Sequence, residues 1–369
     1  MAVKTTLKEL HLYLHIPFCH RICPYCSFYK HTPGGTEMGR FVDALLTEAV
    51  YQRKRHSGPI TTIYFGGGTP SMLSPTLLRR LFQGLRDLGI FDHAAEVTFE
   101  ANPATFTPRT ADLYADLGIT RVSLGVQSFH PQHLATLGRE HSARQAIASC
   151  QVIRDHPTLE LNLDLIFSVP NQTLADWEDT VKVALAQQPD HLSAYNLTYE
   201  EDTAFFEKFQ KGDYQSEDDT NAEMFRIAEK LLLAAGYEHY ETSNYAQPGK
   251  RSQHNSGYWT GNPYLGLGPS AVSCIDRTRW QNVPDTAAYL HQVETVGHAA
   301  STSEILDDEA WRLERLALQL RTAEGLPREY LDPTIPLDPY LDYLELTPTH
   351  LRLRNDGPLL VDSLAEALA

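Results

Sequence analysis

Residues 10–30 read LHLYLHIPFCHRICPYCSFYK, an alternating apolar run followed directly by three closely spaced cysteines. The run Leu10–Ile16 has the period of two that predicts a β-strand. Two prolines then interrupt any helix, so Cys19, Cys23 and Cys26 are expected in a loop just beyond the strand. The stretch therefore predicts a strand that carries a thiol-rich loop at its carboxyl end.

A similar alternation of strand and amphipathic helix recurs through roughly the first half of the chain. Ser74-Pro75 provides an N-cap followed by proline, and Gly89 suits the left-handed residue that ends a helix. Helices that follow strands in this way predict parallel strands joined by right-handed crossovers. The predicted strands are Leu10–Ile16, Thr62–Phe65, Glu96–Glu100, Arg121–Gly125, Leu161–Phe167 and Leu192–Asn196.

Polar residues stand on or just after several of these strands, namely Gly66-Gly67-Gly68, Glu100, Gln127 and Asp164. The strand pattern alone fits either an open doubly wound sheet or a barrel. Polar groups that converge from several strands at one carboxyl face are typical of barrel active sites. We therefore predict an α/β fold with a partial, TIM-like barrel of six parallel strands and outer helices.

The pattern changes after about residue 205. Helices are predicted over 219–235, 285–296 and 307–320, and the tail, 343–369, predicts two short strands and a terminal helix. A smaller, mainly helical C-terminal domain with a winged element is therefore expected. The predicted division is 1–235 for the barrel and 236–369 for this second domain.

The composition excludes several classes of protein. Lys and Arg total 31 against 47 Asp and Glu, a net charge of -16 that disfavours nucleic acid and anionic lipid surfaces as partners. No apolar run is long enough to span a membrane. The amino-terminal segment has no continuous apolar stretch and no small-residue cleavage site, so no signal peptide is predicted and a cytoplasmic location is expected.

Five cysteines in a reducing compartment favour a metal centre over a disulfide framework. Three thiolates can hold three irons of a cubane cluster and leave the fourth iron open, which is one interpretation of the cysteine loop. A zinc site completed by His15 or His20 is the alternative, since three Cys and one His suit tetrahedral zinc. The isolated Cys150 and Cys274 are expected to be small buried apolar residues.

The C-x3-C-x2-C spacing, the tyrosine before its last cysteine, and the GGGTP segment at residues 66–70 resemble the radical S-adenosylmethionine superfamily. Within it, the chain is similar to the branch that contains oxygen-independent coproporphyrinogen III oxidase and a family of haem chaperones. The resemblance extends from Tyr13 to the tail. It implies a six-stranded partial barrel, a C-terminal domain like that of the oxidase, a [4Fe-4S] cluster on Cys19, Cys23 and Cys26, and S-adenosylmethionine on the open iron.

The same resemblance implies the residues around the cofactor. Tyr13, Gly67 and Glu100 correspond to positions that contact the cluster-bound S-adenosylmethionine, and a carboxylate there can accept hydrogen bonds from an amine or ribose hydroxyls. A second group corresponds to positions that contact a second S-adenosylmethionine in the oxidase. Its members are Tyr25, Gly68, Thr69, Gln127, Arg139 and Asp164.

Three features favour the haem-chaperone family over the oxidase. Phe28 stands where the oxidase has a fourth cysteine, and only twelve residues precede Tyr13, where the oxidase has a longer extension. Residues 254–259, HNSGYW, are similar to the HNxxYW signature of the chaperones. His254 is a weak candidate for an axial haem ligand, because the chain contains 16 histidines. One departure from the branch is Ser168, which replaces a glycine after the fifth strand.

The resemblance therefore predicts a chaperone more than a catalyst, with no residue assigned as catalytic. It implies binding of haem and its transfer to an unidentified acceptor protein, together with an electron donor if radical chemistry occurs. The alternative is an enzyme that decarboxylates the propionates of coproporphyrinogen III in porphyrin biosynthesis, started by a 5'-deoxyadenosyl radical. The absence or presence of that activity is the discriminating observation.

Overall fold

The computed structural model describes residues 9–103 and 106–369. Alternating apolar residues form most of its strands, because every second side chain enters the core. The strands are β1 (Leu10–Ile16), β2 (Ile60–Gly67), β3 (Glu96–Ala101), β4 (Arg121–Gln127), β5 (Glu160–Phe167), β6 (His191–Asn196), β7 (Glu238–Glu241), β8 (Asn244–Ala246), β9 (Tyr264–Leu267), β10 (Val272–Ile275), β11 (Thr278–Asn282), β12 (Ala300–Ile305), β13 (Leu326–Pro327), β14 (Leu344–Leu346) and β15 (His350–Leu353).

The helices begin at the capping residues that the sequence indicated. The Ser74 hydroxyl accepts from the Leu77 amide, and Gly118 ends a helix in the left-handed conformation. The helices are α1 (Met38–Arg55), α2 (Pro75–Asp87), α3 (Pro108–Leu117), α4 (Pro131–Thr136), α5 (Ala143–Asp155), α6 (Leu174–Ala186), α7 (Ala204–Gln210), α8 (Asp218–Ala234), α9 (Gln253–Thr260), α10 (Thr286–Val296), α11 (Asp308–Gln319) and α12 (Val361–Ala367).

Six parallel strands form the centre of the main sheet, in the order β1-β2-β3-β4-β5-β6. The apolar faces of helices such as α2 and α6 pack on this sheet, and residues including Leu12, Phe65, Phe99 and Trp177 are fully buried between them. Consecutive parallel strands bring their carboxyl ends to one edge. The predicted fold class, six parallel strands with outer helices, is confirmed.

The sheet continues beyond both ends of this parallel core. β9 pairs in parallel with β1 and is followed by antiparallel β10, β11 and β12, while β8 and β7 extend the sheet antiparallel to β6. The sequence analysis did not predict these strands, because they are short and their partners lie far away along the chain. The division at residue 235 stays a prediction, and β7 to β12, which follow it, belong to the same sheet as the parallel strands.

The tail forms a separate small unit. β13, β15 and β14 make a three-stranded antiparallel sheet, and α11 and α12 pack on its apolar side through Leu316, Leu320 and Leu364. The two short strands and the terminal helix predicted for the tail are therefore present.

Helix α9 closes the amino-terminal end of the parallel strands. The amides of Gln253 and His254 and the hydroxyl of Ser252 donate to the Glu96 carboxylate at the start of β3, at 2.9, 3.0 and 3.2 Å. A carboxylate at a helix N-terminus accepts free amide donors and complements the helix dipole. This end of the core is thus filled by protein, and the opposite edge is the one that carries the cysteine loop.

Among the described helices, none combines the length and apolar character needed to cross a membrane. The segment on which the signal-peptide prediction rests, residues 1–8, lies outside the described residues.

Candidate functional site

The cysteine loop is anchored by backbone hydrogen bonds to the end of β2. Within the loop, the Cys19 amide donates to the His31 carbonyl at 3.0 Å and the His31 amide to the Pro17 carbonyl at 2.9 Å. The Gly68 and Thr69 amides donate to the carbonyls of residues 16 and 18, at 2.8 and 2.7 Å. A Cβ on Gly68 would lie 2.7 Å from the carbonyl oxygen of residue 18, so glycine is required for this close approach.

Cys19 and Cys23 face donors from other parts of the site, and Cys26 lies near the charge of Lys30. The Thr69 hydroxyl lies 3.8 Å from Cys19 Sγ, and Arg139 Nη1 lies 3.4 Å from Cys23 Sγ. Lys30 bonds the carbonyl oxygen of Cys26 and its charge lowers the pKa of that thiol, although burial raises the pKa overall. Donors directed at sulfur stabilise thiolate ligands and tune the iron that they hold.

The structure does not favour the zinc alternative. Both ring nitrogens of His15 are engaged, Nδ1 with the Tyr13 hydroxyl at 3.0 Å and Nε2 with the Tyr29 carbonyl at 2.8 Å. His20 is turned to Glu140. Within residues 9–103 and 106–369, no three His, Cys, Asp or Glu side chains are grouped closely enough to hold a single metal ion. The three half-buried thiols do interact electrostatically with one another.

Glu100 and Asp164 bring two partly buried carboxyl groups to this edge. The Tyr64 hydroxyl donates to Glu100 Oε1 at 2.8 Å, and the Gly67 amide donates to Oε2 at 3.2 Å. Burial, and to a smaller extent the negative charge of Asp164, raise the pKa of Glu100 from 4.5 to about 7. A carboxylate held by neutral donors alone keeps the capacity to bind a cationic group.

Asp164 obtains its partners from the barrel interior. The Ser123 hydroxyl donates to Oδ2 at 2.7 Å and the Asn162 amide donates to Oδ1 at 3.1 Å, while Ser193 supplies a further hydrogen bond. Burial raises the pKa of Asp164 in spite of these bonds and of the Arg139 charge. The hydrogen-bond partners of Asp164 thus come from the protein itself.

Arg139 connects the cysteine loop to β4. Its Nη2 donates to the Gly125 carbonyl at 2.8 Å, its Nη1 reaches Cys23, and it also bonds the Tyr25 hydroxyl. Its Nε is buried and has no hydrogen-bond partner in the described part of the chain. Gln127 ends β4 with a φ of 66°, a left-handed conformation, and its amide lies next to Gly125.

Tyr13 and Gly67 complete the predicted set. The Tyr13 ring stacks on Tyr64 with 6.0 Å between centroids, and burial raises the pKa of its hydroxyl. Gly67 has a φ of 107°, and a Cβ there would overlap the His15 ring at 2.5 Å. The structure therefore gathers the predicted residues around the carboxyl edge of the parallel strands. Their contacts with a cofactor stay predictions.

Sequence reasoning missed several residues that build this edge. Tyr64 supports Glu100, Asn162 and Ser123 support Asp164, and Tyr195 on β6 lies close enough for the Asp164 charge to affect it. Tyr64, Ser123 and Asn162 occupy the alternate, polar positions of their strands, between apolar neighbours that enter the core. Their place on the polar face of alternating strands was the available signal.

The HNSGYW segment lies on α9, away from the cysteine loop. His254 is 1% exposed, and its Nδ1 and Nε2 lie 2.7 and 3.2 Å from the hydroxyls of Thr62 and Tyr258. Its ring stacks on Tyr64 with 5.0 Å between centroids. With both nitrogens engaged inside the core, His254 connects α9 to the strands.

Comparison with known proteins agrees with this geometry. A sequence profile of the radical SAM superfamily matches residues 13–184. The chain is 36% identical over 371 residues to the heme chaperone HemW of Mycobacterium tuberculosis, covering 97% of this chain and 94% of that protein. The chain belongs to the HemW family.

Other matches support the same assignment. The HemW protein of Synechocystis sp. is 36% identical over 343 residues, covering 88% of this chain and 81% of its own length. Among solved structures, the coproporphyrinogen III oxidase HemN of Escherichia coli superposes with a TM-score of 0.83 over 99% of this chain and 91% of the oxidase. At 22% identity, that likeness shows the fold alone.

Proposed function

We propose that this member of the HemW family is a haem chaperone, which binds haem and passes it to an acceptor protein. The observation that carries the proposal is the 36% identity to a heme chaperone over nearly the whole length of both chains. The position of Phe28, where the oxidase has a fourth cysteine, agrees with it.

The three thiols of the cysteine loop fit a [4Fe-4S] cluster. Cys19, Cys23 and Cys26 are free and half-buried, whereas Cys150 and Cys274 are buried elsewhere in the fold. The sulfurs of Cys19 and Cys23 face a hydroxyl and a guanidinium, and the charge of Lys30 lowers the pKa of Cys26, which is the chemistry that stabilises thiolates bound to iron. When bound, such a cluster supplies an open iron position and one-electron chemistry.

S-adenosylmethionine fits the edge beside this loop. Glu100 offers a carboxylate to its amino group or ribose, Gly67 lets the end of β2 approach the His15 ring, and Tyr13 closes the side formed by β1. We assign Tyr25, Gly68, Thr69, Gln127, Arg139 and Asp164 as the residues for a second molecule. Their support is correspondence with the family and their place around one cleft.

The residues of the chain then have separate tasks. Arg139 holds the cysteine loop against β4 through Cys23 and the Gly125 carbonyl. Tyr64 orients the Glu100 carboxyl group, which can hold a proton near neutral pH because its pKa is about 7. The strands and α9 keep water out of the amino-terminal end of the core, so that a ligand enters from the carboxyl edge.

Haem binding and oxidase activity are separated by one pair of measurements. Anaerobically reconstituted protein titrated with haemin is expected to give a saturable Soret band. The same protein given coproporphyrinogen III, S-adenosylmethionine and an electron donor is expected to form no protoporphyrinogen IX. Formation of that product, or the absence of a Soret band, would overturn the proposal.

The proposed location is the cytoplasm, where reducing conditions keep the three thiols available for iron. The acceptor is a protein still to be identified, and the acidic surface of the chain, with its net charge of -16, suits a partner with a basic patch.

A further inference from the structure

A cavity of about 360 Å³ lies outside the cofactor edge, between the end of α9, β9, β10 and α11. The residues that bear on its chemistry are Gly261, Tyr264, Cys274, Trp311 and Arg315. None of them belongs to the cluster or S-adenosylmethionine residues. The cavity therefore needs its own explanation.

Arg315 presents unpaired donors in this cavity. Its side chain is 4% exposed, and its Nη2 bonds Glu314. Its Nε and Nη1 are buried and lack a hydrogen-bond partner among the residues that the structure describes. Buried polar groups are almost always paired, and a buried guanidinium without partners is costly. The two free N–H groups indicate a place for an acceptor that the chain itself does not supply.

Gly261 fixes the position of that guanidinium. A Cβ at residue 261 would lie 0.8 Å from Arg315 Nη1, and the glycine has a φ of 76°, which other residues rarely adopt. The guanidinium also lies over the Trp311 ring, 4.3 Å from its centroid. The arginine is thus held between the α9 turn and an aromatic face, and its orientation does not depend on a ligand.

The charges around the cavity select a ligand of low charge. Arg277 pairs with Asp308, and Arg279 pairs with Glu304 and shares Glu314 with Arg315. These nearby carboxylates would repel a polyphosphate. A single carboxylate matches the planar, two-pronged geometry of the Arg315 fork.

We propose that Arg315 binds a carboxylate in this cavity and, resting on the proposed function, that the carboxylate is a propionate of haem. Trp311 and Tyr264 offer aromatic surface beside the arginine for the edge of a porphyrin. Tyr264 also contacts Tyr258 on the HNSGYW helix, with 4.7 Å between centroids. The turn at Gly261 that ends the signature helix therefore borders the proposed haem site, while His254 stays inside the core.

The test compares haemin affinity in three proteins: the wild type, Arg315→Met and the control Arg312→Gln. Arg312 lies on the same helix but bonds Glu309 and the carbonyl oxygen of Ala369. Anaerobically reconstituted protein is titrated with haemin by Soret absorbance, and cluster content is measured in parallel. We expect Arg315→Met to weaken haemin binding about 10- to 100-fold, and the control to change it less than about twofold.

A second arm separates haem from other carboxylates. Thermal unfolding is measured with added propionate or succinate. If Arg315→Met does not fold, Arg315→Lys replaces it, because lysine keeps the charge but lacks the two-pronged guanidinium. Equal haemin affinity in the wild type and the Arg315 variant overturns the inference and leaves the proposed function standing. If the wild type binds no haemin but is stabilised by succinate through Arg315, the proposed function and the haem assignment fail while the carboxylate site stands.

Discussion

Strand β3 carries a glutamate near each end, and the two have different surroundings. Glu96, at the amino end, is buried, accepts from two amides and a hydroxyl of the α9 region and lies 3.6 Å from the Arg121 guanidinium. Glu100, at the carboxyl end, is partly buried and accepts from a tyrosine hydroxyl and one glycine amide, and its charged neighbour is Asp164.

This difference between Glu96 and Glu100 shows that one end of the parallel sheet stabilises the fold and the other is available for binding. At the amino end, protein groups balance the charge of Glu96, so this carboxylate holds α9 to the strands. At the carboxyl end, the pKa of Glu100 is raised, and Arg139 Nε has no hydrogen-bond partner among the described residues. Both groups can therefore still interact with a ligand. The predictions below test this contrast between the two ends.

The largest effect is expected at the cysteine loop. Cys23→Ala removes one of three proposed cluster ligands, so iron and acid-labile sulfide should fall close to background after anaerobic reconstitution. The spectroscopic change on adding S-adenosylmethionine should disappear with them. Cys150→Ala is the matched control, because Cys150 is a buried residue of α5. It should keep its iron and lose only about 1 kcal/mol of stability. Full iron content in Cys23→Ala would refute the assignment.

The two glutamates are compared directly as glutamines. Glu96→Gln leaves the buried Arg121 without one of its carboxylates and weakens the α9 cap, so the free energy of unfolding should fall by about 3 kcal/mol. Glu100→Gln should not lower the free energy of unfolding at pH 7, because the ionised carboxylate is the form that the fold disfavours, but it should weaken S-adenosylmethionine binding about 10- to 100-fold. Urea unfolding and isothermal titration measure the two quantities. A variant of Glu100 with unaltered affinity would remove it from the binding site.

The pH dependence sharpens the same contrast. Because the pKa of Glu100 rises from 4.5 to about 7 on folding, its neutral form stabilises the protein below pH 4.5, and that contribution is lost as pH rises to about 7. Tyr13, Tyr64, Asp164 and Cys26 are the titratable groups that face it.

The wild-type apoprotein should therefore lose up to about 3 kcal/mol across this range relative to Glu100→Gln. Urea unfolding at pH 5 and pH 8 measures the loss. Glu48, buried beside Asn282 and Tyr289, has its pKa raised to about 7 by burial and is the matched control. Glu48→Gln should reproduce the pH effect without changing cofactor affinity, and parallel wild-type and Glu100→Gln curves would contradict the raised pKa.

A smaller effect on stability is expected at His254, at the amino-terminal end of the core that α9 closes. His254→Gln loses a hydrogen bond to Thr62 or Tyr258 and the ring contact with Tyr64, so stability should fall by about 1–2 kcal/mol. Haemin affinity should stay within about twofold of the wild type. Loss of the Soret band in a folded variant would show that this histidine binds iron after all.

The smallest effect concerns Arg139. Arg139→Gln removes the donor to Cys23 Sγ, and the reduction potential of the cluster should become more negative by about 40 mV, the equivalent of one hydrogen bond near 1 kcal/mol. Redox titration followed by electron paramagnetic resonance measures the shift, with the exposed Arg144→Gln as control. An unchanged potential would separate Arg139 from the cluster.

Much of the fold could be predicted, because its signals are local. The run Leu10–Ile16 is a strand with the predicted limits, and α11 begins and ends within a residue of its predicted span. Ser168, in the place of a glycine, adopts a φ of 63°, a left-handed conformation that favours glycine. Each of these features depends on a few neighbouring residues, so sequence reasoning could reach it.

The candidate site could be predicted only in part. The cysteines, Glu100 and Asp164 were found through their spacing and their correspondence with a family. Their supporting residues, such as Tyr64 and Asn162, were missed, because the sequence does not show which carboxylate a polar residue on a strand will contact in the folded sheet.

The sequence by itself determined the alternation of strands and helices, the thiol-rich loop and the family, since periodicity, proline placement and spacing are properties of adjacent residues. Tertiary structure alone decided that β9 pairs with β1 and that α9 closes one end of the core. It also decided that Arg315 lines a cavity while its Nε and Nη1 have no hydrogen-bond partner among the described residues. Those contacts join residues far apart in the chain, and their energies depend on burial and on neighbouring charges, which exist only once the chain has folded.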